Sequence, residues 1–124
     1  MPVDLRYDKE KSILYATVRE QLSPNEFSNA AKEIVCSNDY PPDVRILWDI
    51  RSIKMPLLVS RQFIDFTEIR KKYPERGKAK IAVIVSSDLA FGMSRMYEML
   101  SSDLPQHVMI FKNIDQGEQW LQSE

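Results

Sequence analysis

The sequence is poor in the residues that build metal sites, disulfides and nucleophilic active sites. Its 124 residues include one cysteine and one histidine, Cys36 and His107. One cysteine cannot form an internal disulfide, and the pair is too small for a zinc site of the usual nitrogen and sulfur ligands. A Ser-His-Asp or Cys-His apparatus would need His107 as its base, and that residue stands at the start of a predicted strand. We expect no bound metal and no cofactor.

Long apolar runs and an excess charge of one sign are also absent. No apolar run approaches the roughly 20 residues that span a bilayer, and the first residues lack the apolar segment of a secretory signal. Lys and Arg total 17, against 18 Asp and Glu, so bulk attraction to nucleic acid or anionic membrane is not expected. We expect one cytoplasmic domain over residues 1–124, since 44% apolar residues suffice for a core.

A single basic cluster follows a predicted helix. It comprises Arg70, Lys71, Lys72, Arg76, Lys78 and Lys80. Cations at the end of a helix complement its dipole, and no aromatic residues are interleaved with these for stacking on bases. The sequence therefore predicts no nucleic-acid partner.

Strands and helices alternate along most of the chain. Val3–Tyr7 and Ser12–Val18 are separated by a short polar turn, which predicts an antiparallel hairpin. The later predicted elements are a helix from Pro24 to near Cys36, a strand Val44–Ile50, a helix from Pro56 or Leu57 to Lys72, a strand Lys80–Val85, a helix from Leu89 to about Ser101, a strand Val108–Phe111 and a helix capped by Asn113. This order, β-β-α-β-α-β-α-β-α, predicts an α/β fold with a mostly parallel five-stranded sheet, right-handed crossovers, one antiparallel edge strand and four helices.

Apolar spacing predicts which face of each helix is buried. Ser23-Pro24-Asn25-Glu26 is a capping box, with proline at the first helical position. The core side of the second helix is predicted to be Val59, Phe63, Phe66, Ile69 or Arg70, and Tyr73. That of the third helix is predicted to be Leu89, Met93, Met96, Tyr97 and Leu100.

The most informative segment lies between the fourth strand and the third helix. Residues 81–85 form an unbroken apolar run, which is typical of a strand buried on both faces. Ser86-Ser87-Asp88 follows at once, and a helical apolar stripe then begins. Such a turn directs free backbone N–H groups beyond the edge of the sheet, where a ligand can bind.

The predicted order and three local motifs resemble the SpoIIAA-like, or STAS-type, domains. The motifs are Trp48-Asp49-Ile50-Arg51, then residues 85–92 with Arg95-Met96-Tyr97-Glu98, and finally Ile110-Phe111 with Trp120-Leu121. Within this group, the chain resembles the small stand-alone bacterial proteins of the STAS/SEC14-like type, most of them uncharacterised. The resemblance covers nearly the whole chain and implies a βα superhelix that is usually non-catalytic and serves regulation or ligand binding.

The chain departs from this resemblance at one position. Anti-sigma-factor antagonists of the wider family carry a phosphorylatable Ser or Thr two residues after the strand-ending Asp. Asp49 matches that Asp, but Arg51 occupies the phosphosite position and Ser52 lies one residue later. The sequence therefore favours a protein without a phospho-switch. Phosphorylation of Ser52 is the less favoured alternative.

Two polar segments are predicted to meet at the carboxyl ends of neighbouring strands. One contributes Asp49, Arg51 and Ser52, and the other contributes residues 86–88, namely Ser86, Ser87 and Asp88. In one interpretation they form a ligand site in which Arg51 binds an anion. In the other, Ser87 or Asp88 merely caps the third helix and Asp49 holds its own loop. A third possibility is that Asp49 and Asp88 act as an acid and base pair.

The third helix carries a second candidate surface. Phe91 lies off the predicted buried stripe, Gly92 permits close approach, and Met96 adds adaptable apolar surface. These residues predict either a hydrophobic pocket or partner face between the second and third helices, or ordinary core. Arg95 belongs to the same surface, or pairs with Glu98 three residues on.

Three functions remain open from the sequence. The first is a non-catalytic regulatory module that binds a protein partner through residues 49–52 and 86–95. The second is a carrier or sensor of a small apolar or amphipathic ligand held between the second and third helices. The third is an enzyme that uses Asp49 and Asp88. A homodimer is a further alternative, because the predicted edge strand and Phe91 offer contact surfaces to a second copy of the chain.

Overall fold

The computed structural model describes residues 3–19, 21–53 and 60–123, and leaves out the side chains of residues 60–63, Leu89, Met93 and Met96. The elements of these described residues are β1 (Val3–Asp8), β2 (Ile13–Val18), α1 (Pro24–Cys36), β3 (Arg45–Asp49), α2 (Ser60–Arg70), a 3-10 turn (Pro74–Arg76), β4 (Lys80–Ile84), α3 (Asp88–Leu100), β5 (His107–Phe111) and α4 (Ile114–Gln122). No helix among them has the length and apolar content that a membrane span requires.

The strands form one sheet in the order β1-β2-β3-β4-β5. β1 pairs antiparallel with β2, and each later pair is parallel. The predicted α/β sheet with one antiparallel edge strand is therefore confirmed.

Helices cover both faces of this sheet, because successive strand residues point to opposite sides. On β3, Ile46 and Trp48 join the larger core cluster, which also contains buried residues of α1, α2 and α3. Leu47 points the other way into a smaller cluster with Leu121 of α4. Three helices thus pack on one face, and α4 packs on the other. The unbroken apolar run of β4 is explained in the same way.

α4 approaches the sheet closely at Gly117. A Cβ atom there would lie 2.7 Å from Cδ1 of Ile84 and 3.5 Å from Cδ1 of Leu47. Leu121, one turn later, is fully buried. The absence of a side chain at Gly117 therefore allows the helix to lie directly on β3 and β4.

Side-chain caps set the first residues of three helices. The Ser23 hydroxyl accepts from the backbone of Glu26, whose carboxylate accepts from the backbone of Ser23 in return. Asn113 accepts from two backbone N–H groups of α4. Ser87 caps α3 by accepting from the backbone N–H of Ala90. The capping box at Ser23 and the cap at Asn113 were predicted and are confirmed.

Two predictions about helices are wrong in detail. α2 ends at Arg70 rather than Lys72. The backbone N–H groups of Lys72 and Tyr73 donate to carbonyls three residues earlier instead of four, because the helix cannot continue into Pro74. Leu100 is 41% exposed, although it was placed on the buried stripe of α3. The predicted start of α2 at Pro56 or Leu57 lies outside the described residues.

Candidate functional site

The strand-tip cluster, defined as Asp49, Arg51, Ser52, Ser86, Ser87 and Asp88, lies at the carboxyl ends of β3 and β4. Asp49 is paired in register with Ile84, and the backbone N–H of Ile50 donates to the Ile84 carbonyl at 3.1 Å. The Ser86 hydroxyl reaches the Arg51 carbonyl at 3.4 Å, so it links the two loops. The two polar segments therefore lie side by side, as the sequence predicted.

Arg51 and Asp49 are fully engaged with each other. Nε and Nη2 of Arg51 donate to the two carboxylate oxygens of Asp49 at 2.8 and 2.7 Å. The backbone N–H of Arg51 donates to the same carboxylate at 3.2 Å. These bonds lower the pKa of Asp49, and hydrogen bonding to Asp49 raises the pKa of Arg51. The guanidinium fork is thus occupied by a neighbouring side chain, as a bidentate pair.

The second segment is satisfied in the same local manner. Ser87 is the cap of α3, and Asp88 pairs with Lys112, which follows β5. The side chain of Asp88 is 92% exposed, and Ser52 is exposed as well. These contacts match the structural interpretation of the cluster. They also keep Asp49 ionised beside Arg51 and hold Asp88 against its own cation, which is a poor arrangement for an acid and base pair.

Phe91 and Arg95 form a half-exposed surface on α3. Phe91 packs partly against the larger core cluster, with the Lys112 ammonium 5.4 Å and the Arg95 guanidinium 6.0 Å from its ring. Arg95 also pairs with Glu98 at 3.4 Å. No described neighbour lies within 4 Å of the position of a Cβ on Gly92. The side chain of Met96 lies outside the described residues.

A cavity of about 80 Å³ lies between the sheet and helices α1, α2 and α3. Its walls are mainly apolar, and include Phe27, Ile46, Trp48, Phe66, Ile81 and Val83. The volume is several times the roughly 10–15 Å³ that one water molecule needs. It is below the roughly 300–1,000 Å³ of sites that enclose drug-sized ligands, so the cavity suits a small molecule.

Five of the lining residues bring polar groups into this apolar space: Arg70, Arg76, Ser94, Tyr97 and Gln106. Each is at most 9% exposed. Polar side chains buried to this degree normally have hydrogen-bond partners within the protein or in bound water. Their partners therefore decide whether the cavity is ordinary core or a binding site.

Arg70 is held by neutral oxygens. Nη1 donates to the hydroxyls of Tyr97 and Ser101 at 3.0 and 2.5 Å, and Nη2 donates to Oε1 of Gln106 at 3.0 Å. Burial raises the pKa of Tyr97, while the neighbouring Arg70 lowers it. This network ties the end of α2 to α3 and to the segment before β5. It leaves the positive charge of Arg70 without a carboxylate among the described residues.

Arg76 is held on one side only. Its Nη1 donates to the backbone carbonyls of Pro42 and Val44 at 2.9 and 2.7 Å, while Nη2 is buried without a hydrogen-bond partner among the described residues. Burial, assisted by the nearby charge of Arg70, lowers the pKa of Arg76 to about 10. The guanidinium therefore remains charged at neutral pH, and no described carboxylate forms an ion pair with it.

Ser94 supplies a second unpaired group. Its side chain is 1% exposed, and its hydroxyl has no hydrogen-bond partner within the part of the chain that the structure describes. Ser94 lies on the buried face of α3, between Ala90 and Tyr97. The cavity thus contains two donors that no described residue satisfies, together with two buried positive charges.

The sequence predictions did not name the polar residues of this cavity as site candidates. Arg70 and Arg76 were predicted as cations at a helix end that complement its dipole; Arg70 does lie in the last turn of α2 and Arg76 in the last turn of the 3-10 turn, and both are also buried. They lie near the amino-terminal ends of the strands, since Arg76 binds the segment before β3 and Arg70 binds Gln106 before β5. One signal was visible: Arg70 follows Phe66 by four residues and was named as a possible core position.

The serines of α3 carried a similar signal. Ala90, Ser94, Tyr97 and Ser101 recur at helical spacing, and all four are buried. Two serines on a buried stripe require partners, which points to polar function inside the core.

Among the described residues, no group of three His, Cys, Asp or Glu could hold a metal ion.

Comparisons with known proteins concern the fold. No family model matches the sequence. No curated protein matches it either. A solved structure that is similar belongs to an uncharacterised DUF3478-family protein from Shewanella loihica PV-4, described as having a SpoIIAA-like fold. The two share 16% sequence identity over 96% of this chain and 91% of that chain, with a TM-score of 0.64. With its mixed five-stranded sheet and four helices, the chain has a SpoIIAA-like fold.

Proposed function

We propose that the protein is a non-catalytic carrier or sensor of a small amphipathic molecule, which it binds in the cavity between the sheet and α1–α3. The observation that carries the proposal is the combination of an apolar wall with the unpaired groups of Arg76 and Ser94. An apolar cavity with a few convergent polar groups is the usual form of a small-molecule site. The proposal shifts the predicted pocket from between the second and third helices to the space beneath them.

A regulatory module that works through the strand-tip cluster has less support. Arg51, the residue expected to bind an anion, already binds Asp49 with three donors. A partner would have to break that pair before using either charge. An enzyme based on Asp49 and Asp88 has less support for the same reason, since each carboxylate has its own cation.

The two tryptophans provide a direct test. Trp48 lines the cavity, whereas Trp120 belongs to α4 and packs on the opposite face of the sheet. We expect short six-carbon molecules, such as 1-hexanol and hexanoate, to shift the indole N–H signal of Trp48 saturably in a proton–nitrogen correlation spectrum. The signal of Trp120 is expected to stay in place.

The same titration can also contradict the proposal. If neither indole responds to any six-carbon molecule, or if both respond equally, the cavity is not the binding site. Native mass spectrometry of the purified full chain complements the titration, because it detects a molecule that copurifies with the protein. An Ala31→Leu variant serves as a blocking control, since Ala31 lines the cavity and a larger side chain there is expected to abolish the Trp48 shift.

A further inference from the structure

We infer that the ligand of this cavity carries a single carboxylate, which the guanidinium of Arg76 binds inside the apolar space with the Ser94 hydroxyl as a second donor. The inference rests on the proposed function and adds the chemical class of the ligand. It also makes the amino-terminal side of the sheet the polar end of the site.

The first step of the argument is the charge balance. Arg70 and Arg76 are 7% and 9% exposed, and neither forms an ion pair with a described carboxylate. Asp43 acts on Arg76 only through its electrostatic field, and Asp43 itself is exposed. A charge buried without an opposite charge is unfavourable unless something compensates it. An anion in the cavity supplies that compensation.

The second step is the number of free donors. The fork of Arg70 is taken up by Tyr97, Ser101 and Gln106. Nη2 of Arg76 and the hydroxyl of Ser94 have no hydrogen-bond partner in residues 3–19, 21–53 and 60–123 as far as these are described, so both donors are free for a ligand. Both residues line the same cavity, and a guanidinium binds carboxylates with favourable geometry. A dianionic phosphate would bring twice the charge into a space with few donors.

The third step is the remainder of the lining. Trp48, Phe27 and Phe66 form an aromatic group, with Phe27 centred 5.4 Å from Trp48 and 4.9 Å from Phe66. Ile46, Ile81 and Val83 of the sheet complete the wall. Such a wall favours a hydrocarbon chain or ring over a polar body. Head and tail together describe a small apolar monocarboxylate.

Hexanoate, 1-hexanol and hexyl phosphate form the test set, and the Trp48 signal reports binding. We expect hexanoate to bind about ten- to a hundredfold more tightly than 1-hexanol, because hydrogen bonds to a charged group are stronger than neutral ones. Equal affinity for 1-hexanol overturns the carboxylate assignment and leaves the proposed function intact. Tighter binding of hexyl phosphate also overturns it. Failure of all three to shift Trp48 removes both conclusions.

Variants locate the head group. Arg76→Gln is expected to weaken hexanoate about tenfold or more and to weaken 1-hexanol by a smaller factor. Because Arg76 also supports the loop before β3, Ser94→Ala is a second probe, with an expected loss of about three- to tenfold. Arg19→Gln is the matched control: Arg19 is 70% exposed and pairs with Asp4. Equal weakening by Arg19→Gln, or wild-type affinity in Ser94→Ala and Arg76→Gln, contradicts the inference.

Discussion

The strand-tip cluster and the cavity differ in how their polar groups are satisfied. At the strand tips, Arg51 binds Asp49, Ser87 caps α3 and Asp88 binds Lys112. In the cavity, Arg76 and Ser94 retain buried groups that no atom of the described residues satisfies. Exposed groups that pair with near neighbours stabilise local structure, whereas unpaired buried groups require an explanation. The comparison moves the candidate site from the surface to the interior.

Substitutions of Arg70 in the cavity and of Arg51 at the strand tips should show the largest difference in stability. Arg70→Ala removes a buried network that joins α2 to α3, so we expect the free energy of unfolding to fall by about 2–4 kcal/mol. Arg51→Ala removes a half-exposed pair and should lower it by about 0–1 kcal/mol. Urea denaturation of both variants at pH 7 measures the difference. Equal losses would show that relief of the buried charge of Arg70 offsets its lost hydrogen bonds.

The contrast between the regions also explains what the sequence could predict. Element order, capping residues and the antiparallel edge strand depend on local patterns, and these were predicted correctly. The meeting of the two polar segments followed from the parallel pairing of β3 with β4. Patterns of this kind involve residues that are close in sequence, so they can be recognised without knowledge of the tertiary packing.

The cavity could not be predicted in this way, because its polar end is assembled from distant segments. Arg76 is 32 residues from Val44, and Arg70 is 36 residues from Gln106. A basic residue near a helix end is usually solvated, and periodicity alone left Ile69 and Arg70 as alternatives. Burial of Arg70 was decided by its three oxygen partners, which a single sequence does not reveal.

Replacing two serines of α3 should change the free energy of unfolding in opposite directions. Ser87→Ala removes the helix cap, and we expect it to lower the free energy of unfolding by about 1 kcal/mol. Ser94→Ala removes an unpaired buried hydroxyl and adds a better helix former, so we expect a gain of roughly 0.5–1 kcal/mol. Chemical denaturation of the ligand-free protein measures both. A loss of stability in Ser94→Ala would mean that this hydroxyl has a structural partner, which would weaken the case for a binding site.

The smallest expected effect concerns the charge pair at the strand tips. Hydrogen bonds from Arg51 lower the pKa of Asp49 below its ordinary value of 3.8. The unfolded chain therefore takes up a proton at this carboxyl at a higher pH than the folded protein does. The contribution of the pair is fully present above about pH 4 and is lost as the pH falls through the pKa of the folded state.

An Arg51→Gln variant isolates this contribution. At pH 7 we expect it to lower the free energy of unfolding by less than about 1 kcal/mol, because the Arg51 side chain is half exposed to solvent. The difference from the wild type should shrink as urea denaturation is repeated from pH 5 down to pH 3. A difference that stays constant over that range would show that Arg51 holds the loop through packing rather than charge. The strand-tip cluster would then lose its electrostatic role, although Ser87 would still cap α3.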